Sequence, residues 1–197
     1  KTFSNTVDSK YAIASKIAYD KSYNSLQNKF QILCEDNIEH QYIVLAYPNL
    51  EDVEEIIISF RGTNPLNIED IKSDKDILFK EFDKSKRFLT LLDTICDLLI
   101  HPLMKNKYIV FTGHSLGGTT ALCMSQYLGI PAVVFNPGAT IQYQKKYDYF
   151  KIRIHKITTD MICMFEGFSG QVHLYQLPTD NPNYGSKIGS HNLDNFL

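Results

Sequence analysis

Apolar residues recur at Val7, Tyr11, Ala14, Ile17 and Ala18, three or four positions apart. That spacing puts them on one face of an α-helix over residues 7–19, with Asn5 or Thr6 available as its cap. Residues 30–34 and 41–47 read as strands separated by the polar turn Glu35-Asp36-Asn37, which predicts a hairpin. Glu55-Ile56-Ile57-Ile58-Ser59-Phe60 is a β-branched run ending at Arg61-Gly62-Thr63. Nearly continuous apolar character of that length predicts a strand buried on both faces. Helical spacing returns over residues 82–100, where Phe88, Leu92, Ile95 and Leu99 mark one face. A short β-prone stretch at 108–111 precedes a helical stretch at 119–128, which stops at Gly129-Ile130-Pro131. Residues 132–135 predict another buried strand, closed by Asn136-Pro137-Gly138. Ile152, Ile154 and Ile157 mark a further strand that ends near Asp160, and residues 172–177 form the last one before a polar, turn-rich tail.

Strands alternating with helices in this way predict an α/β fold: a mostly parallel central sheet with helices on both faces and an antiparallel start at one edge. No internal repeat, low-complexity tract or linker interrupts the pattern, and 197 residues fit a single domain over 1–197.

Composition narrows the class. A net charge of −2 gives no electrostatic basis for binding nucleic acid, and no apolar run approaches the ~20 residues of a membrane span. The expectation is a soluble domain. The chain begins at Lys1 rather than Met, which leaves cytosolic location and secretion after loss of a leader both open. Cys34, Cys96, Cys123 and Cys163 show neither C-x-x-C pairing nor metal-ligand spacing to histidine, so no metal site is expected. The first three sit in apolar periodic stretches and read as buried free thiols.

Gly113-His114-Ser115-Leu116-Gly117-Gly118 lies between a predicted strand and a predicted helix. A G-x-S-x-G pattern in that setting predicts a nucleophile elbow, the tight turn that lifts a serine hydroxyl above a sheet. Gly113 and Gly117 suit it because the flanking strand and helix approach closely. The turn leaves the Leu116 N–H at a helix N-terminus, positioned to donate to a developing oxyanion.

Serine is a weak nucleophile unless a histidine takes its proton and a carboxylate orients that histidine. In α/β-hydrolases the chain order is Ser, then Asp or Glu, then His. Downstream of Ser115 the histidines are His155, His173 and His191, and the acids are Asp148, Asp160, Glu166, Asp180 and Asp194. Active sites of such sheets form beyond the C-terminal ends of the parallel strands. Asp160 follows a strand there, and His191 lies in the tail after the last strand. His155 and His173 fall within strands, where a structural role is expected. Asp180 is the rival acid, although Asn181-Pro182 beside it points to turn chemistry.

Two segments together carry a family resemblance. Ile56-Ile57-Ile58-Ser59-Phe60-Arg61-Gly62-Thr63, followed about fifty residues later by Thr112-Gly113-His114-Ser115-Leu116-Gly117-Gly118, resembles the class 3 lipase family of fungal-type triacylglycerol lipases. Val133 to Gly138 resembles that family's strand and turn after the elbow helix. The segment from Ile157 to Ile162 resembles its aspartate segment, and Gly189 to Leu193 its C-terminal histidine segment. The resemblance implies an α/β-hydrolase fold and a serine ester hydrolase with Ser115, Asp160 and His191 as catalytic residues. It also implies an oxyanion hole formed by Leu116 and by the backbone amide and hydroxyl of Thr63, with no metal or cofactor. Lipid or small ester substrates are implied, together with transient contact at a lipid interface. The chain departs from the family in lacking tryptophan and an H-x-G-F segment after the F-R-G-T loop. A short connection over residues 64–79 predicts activity without a pronounced jump at an interface. Two alternatives stay open: a catalytically silent lipase-like binding or signalling domain, and a serine esterase or thioesterase acting on non-lipid substrates.

Overall fold

The computed structural model describes residues 3, 6–36, 39, 41–62, 82–138, 151–160 and 170–197. Seven strands form one sheet in the spatial order β1 to β7: β1 (Gln31–Glu35), β2 (Tyr42–Tyr47), β3 (Glu55–Phe60), β4 (Ile109–His114), β5 (Ala132–Phe135), β6 (Ile152–Ile157) and β7 (Gln171–Tyr175). The first two junctions are antiparallel, the first of them being the predicted hairpin, and β3 through β7 run parallel. This is an α/β-hydrolase fold.

Side-chain alternation along the strands divides the core in two. Val44, Ile56, Ile58, Phe111, Val134 and Ile154 face one layer, built by α3 (Lys86–Leu99) and α4 (Leu116–Leu128). Ile43, Leu45, Ile57, Val110, Val133 and Phe135 face the other, which holds α1 (Ser9–Tyr19). A short α2 (Ser22–Gln27) follows α1. Small residues on α1 allow close approach: Ser15 Oγ lies 3.1 Å from Thr112 Oγ1 in the middle of β4.

Three expectations change. The first helix begins at Ser9, so Val7 lies outside it and is 88% exposed. Residues 82–100 are not one helix, because a 3₁₀ turn at Phe82–Lys84 ends where Ser85 caps α3, its hydroxyl accepting from the Phe88 N–H at 3.1 Å. Of the cysteines read as buried, only Cys123 is; Cys34 is half-buried and Cys96 is exposed on α3. Helical periodicity fixes a face only to within one position, and Cys96 falls just beyond the packed stripe of Phe88, Leu91 and Ile95.

Candidate active site

Ser115 sits between His114, the last residue of β4, and Leu116, the first of α4. Its φ of 57° and ψ of −125° are costly for a side chain-bearing residue and persist only where the surroundings impose them. The Ser115 N–H donates to the Phe135 carbonyl at 3.2 Å, and its own carbonyl accepts from the N–H groups of Thr119 and Gly138, each at 3.0 Å. The glycines have a steric reason. A Cβ on Gly113 would strike the Gly117 backbone, and one on Gly117 would strike the Phe60 carbonyl.

His191 reaches this serine from a 3₁₀ turn (Gly189–His191) in the tail. Its Nε2 lies 2.8 Å from Ser115 Oγ, and its Nδ1 lies 2.8 Å from Asp160 Oδ2. A carboxylate only accepts, so Nδ1 carries the proton on the Asp160 side and Nε2 faces the serine hydroxyl. All three side chains are buried. Asp160 is held in the turn after β6, its N–H donating to the Ile157 carbonyl at 3.1 Å.

The other candidates are elsewhere. Asp180 is exposed, and Asp194 pairs with Lys16 at 2.8 Å. His155 donates from Nε2 to Asp8 Oδ2 at 2.7 Å, accepts at Nδ1 from the Tyr175 hydroxyl at 2.9 Å, and stacks on the His173 ring. Thr63, Asp148, Glu166 and the connection over 64–79 lie outside the described residues. Immediately before Thr63, the strand end is fixed by the Arg61 N–H donating to the Gln41 carbonyl at 2.8 Å. The Leu116 N–H opens α4 and so has no acceptor within the helix. A small recess beside it is lined by Phe82, Phe88, Leu91 and Leu116 together with Gln41, Arg61, Arg87 and Thr120.

Sequence reasoning missed His114 and Tyr19. His114 Nε2 donates to the His191 carbonyl at 2.6 Å, while Nδ1 faces the Tyr19 hydroxyl at 3.2 Å. Burial, reinforced by the neighbouring His191 ring, lowers the His114 pKa to about 3, so this imidazole is neutral. Burial also pushes the Tyr19 hydroxyl up, against an opposing hydrogen bond from the Gly62 backbone. Position 114 is the variable slot of G-x-S-x-G, whose identity the elbow geometry leaves open, so the motif carried no signal for its second role. Among the described residues no group of three or more His, Cys, Asp or Glu side chains could hold a metal ion. No helix among them is long and apolar enough to cross a membrane.

No protein-family model matches the chain, and no curated protein matches it in sequence. Solved structures do. The Rhizomucor miehei lipase propeptide complex, a deletion mutant, superposes with a TM-score of 0.55 at 14% identity, covering 93% of this chain and 73% of that one. Lip2 lipase from Yarrowia lipolytica gives a TM-score of 0.55 at 14% identity, covering 86% of this chain and 77% of its own. This protein shares the fold of those fungal lipases.

Proposed function

We propose that this chain is a serine carboxylester hydrolase cleaving acyl esters of lipids. The observation that carries the reading is the buried series Ser115 Oγ to His191 Nε2 and His191 Nδ1 to Asp160, both links at 2.8 Å. In the proposed reaction Ser115 Oγ attacks the ester carbonyl as His191 Nε2 takes its proton. Asp160 holds the imidazole in the required tautomer and stabilises the imidazolium. The Leu116 N–H and Thr63 donate to the oxyanion of the tetrahedral intermediate. His191 then protonates the leaving alkoxide, and water, activated by the same ring, releases the acyl group and restores Ser115.

The reading includes membership of the class 3 lipase family as a compact representative, with residues 1–197 forming one domain. Its support is the F-R-G-T and G-H-S-L-G-G pair together with the fungal-lipase fold. A silent binding domain has no physical need for a strained serine within hydrogen-bond reach of a carboxylate-oriented imidazole.

The test is covalent labelling by a fluorophosphonate probe, run beside hydrolysis of an ester series of increasing acyl length. The probe should label the wild-type chain at one serine, and Ser115→Ala should neither be labelled nor turn over ester. Labelling that persists in Ser115→Ala would remove this nucleophile. A folded wild-type chain inert to probe and esters alike would favour the silent reading.

A further inference from the structure

The three residues of the proposed site come from three distant stretches of chain, and one short turn touches all three. The turn is 135–138, at the end of β5. Its Phe135 carbonyl and Gly138 N–H bracket Ser115, accepting from the Ser115 N–H at 3.2 Å and donating to the Ser115 carbonyl at 3.0 Å. Between them lies Asn136, fully buried and at φ 40°, a left-handed conformation that asparagine tolerates better than most residues. Its backbone N–H continues the sheet by donating to the His155 carbonyl at 2.8 Å. Its side-chain amide then divides. Oδ1 accepts from the Ile157 N–H at 2.9 Å, and Nδ2 donates to the Ser190 carbonyl at 3.0 Å. The two partners fix the amide orientation, since an N–H needs the oxygen and a carbonyl needs the NH₂.

Ile157 and Ser190 are the residues that hold the acid and the base. The Ile157 carbonyl accepts from the Asp160 N–H and so pins the turn bearing the carboxylate. Ser190 directly precedes His191. We propose that Asn136 is a positioning residue for this site: its buried amide, beside the hydroxyl contact of Thr159 with Ser190 at 2.5 Å, holds the Asp160 turn and the His191 loop at a set separation and keeps both in register with the elbow. The proposal deepens the hydrolase reading and rests on it for its kinetic consequences. The physical case is one of accounting. The carbonyls of Gly189, Ser190 and His191 each accept from a side chain: Gly189 from Asn195, Ser190 from Asn136 at 3.0 Å and from Asn195 at 3.3 Å, and His191 from His114. Asn195 belongs to the same tail as the loop it holds, and His114 ties that loop to the elbow. Of these three side chains, Asn136 is the one that joins the loop to β6, the strand leading into the Asp160 turn.

The test uses Asn136→Ala, which removes both bonds, and Asn136→Asp, which keeps the acceptor for Ile157 but turns an oxygen toward the Ser190 carbonyl. Two readouts are needed. Steady-state hydrolysis of a soluble p-nitrophenyl ester should show kcat lowered about tenfold to a hundredfold with KM within about twofold, because a misplaced base weakens the transition state and not substrate binding. The low-field proton resonance of His191 Nδ1–H, assigned by its absence in His191→Gln, should broaden or vanish in both variants. Unchanged kcat together with an unchanged resonance in a folded variant would overturn the proposal. Failure of both variants to fold would also overturn it, making Asn136 a residue of folding only. If the wild-type chain proves inert to ester, the hydrolase reading fails by itself, and the resonance still decides whether Asn136 sets the Asp160–His191 contact.

Discussion

Position 115 holds a serine where the backbone alone would favour glycine. The cost of φ 57° is offset by the hydrogen bonds to Phe135, Thr119 and Gly138, so the hydroxyl is delivered to His191 by a turn that cannot relax. Under the proposed mechanism the role of Asp160 is to keep the Nδ1 tautomer. Asp160→Asn preserves shape but offers an NH₂ or a weaker acceptor, so kcat should fall about 10⁴-fold with little change in KM, measured by steady-state kinetics. Thr63→Val removes a hydroxyl but leaves the backbone N–H. If that hydroxyl is an oxyanion donor, turnover drops about 10²–10³-fold; an unchanged kcat excludes the side chain. At this scale the motif exposed Ser115, and the chain order Ser, Asp, His directed attention to Asp160 and His191. His114, Tyr19 and Asn136 stayed hidden because each acts through a backbone group far away in sequence, and no local pattern encodes such a partner.

Among the elements, α1 illustrates how tertiary contacts redirect a capping residue. Asp8 occupies the N-cap position of α1, yet its side chain makes no cap hydrogen bond. It pairs instead with Arg153 through two bonds of 2.8 and 2.7 Å and accepts from His155, fastening the helix start to β6 across the sheet. Burial would raise this carboxyl, but the hydrogen bonds from His155 and Arg153 outweigh it and hold Asp8 well below the usual range. Asp8→Ala leaves a buried guanidinium edge and imidazole without their partner. The expected loss is about 3 kcal/mol, at the lower end for a broken buried pair because Arg153 is partly exposed. Urea unfolding measures it, and the ester turnover of the folded fraction should not change. A shift of the unfolding midpoint too small to resolve would show that the pair only balances its own desolvation.

For the whole molecule, buried imidazoles set the acid limit. The His114 pKa lies near 3 in the folded chain against 6.5 in its unperturbed state. The unfolded chain therefore takes up a proton first as pH falls, so stability is full above pH 6.5 and is lost progressively from there to about pH 3. At about pH 4 this single group accounts for roughly 3 kcal/mol. His155 is lowered as well, mainly by burial, and acts in the same direction. Asp8 adds a further loss below its ordinary value of 3.8. Urea midpoints recorded from pH 7 to pH 4 should fall steadily, and His114→Gln, which cannot charge, should show the shallower dependence. Parallel curves for the two proteins would mean that His114 does not titrate in the unfolded chain alone.

What the sequence determined was whatever repeats over short distances. Period-two alternation and β-branched runs located the strands, the 3.6-residue period located the helices, and G-x-S-x-G marked the elbow. Each is a local constraint of backbone geometry and side-chain size. Boundaries slipped for two reasons: Asp8 took tertiary partners, Arg153 and His155, in place of a cap, and Ser85 made a local cap with Phe88 that broke a helix periodicity alone would have continued. The meeting of Ser115, His191 and Asp160 is of another kind. It depends on β4, the turn after β6 and the 3₁₀ turn of the tail arriving at one end of the sheet, and on the Asn136 amide spanning two of those segments. Hydrogen bonds between residues separated by tens of positions leave no periodic trace in a sequence, so only the folded chain decides them.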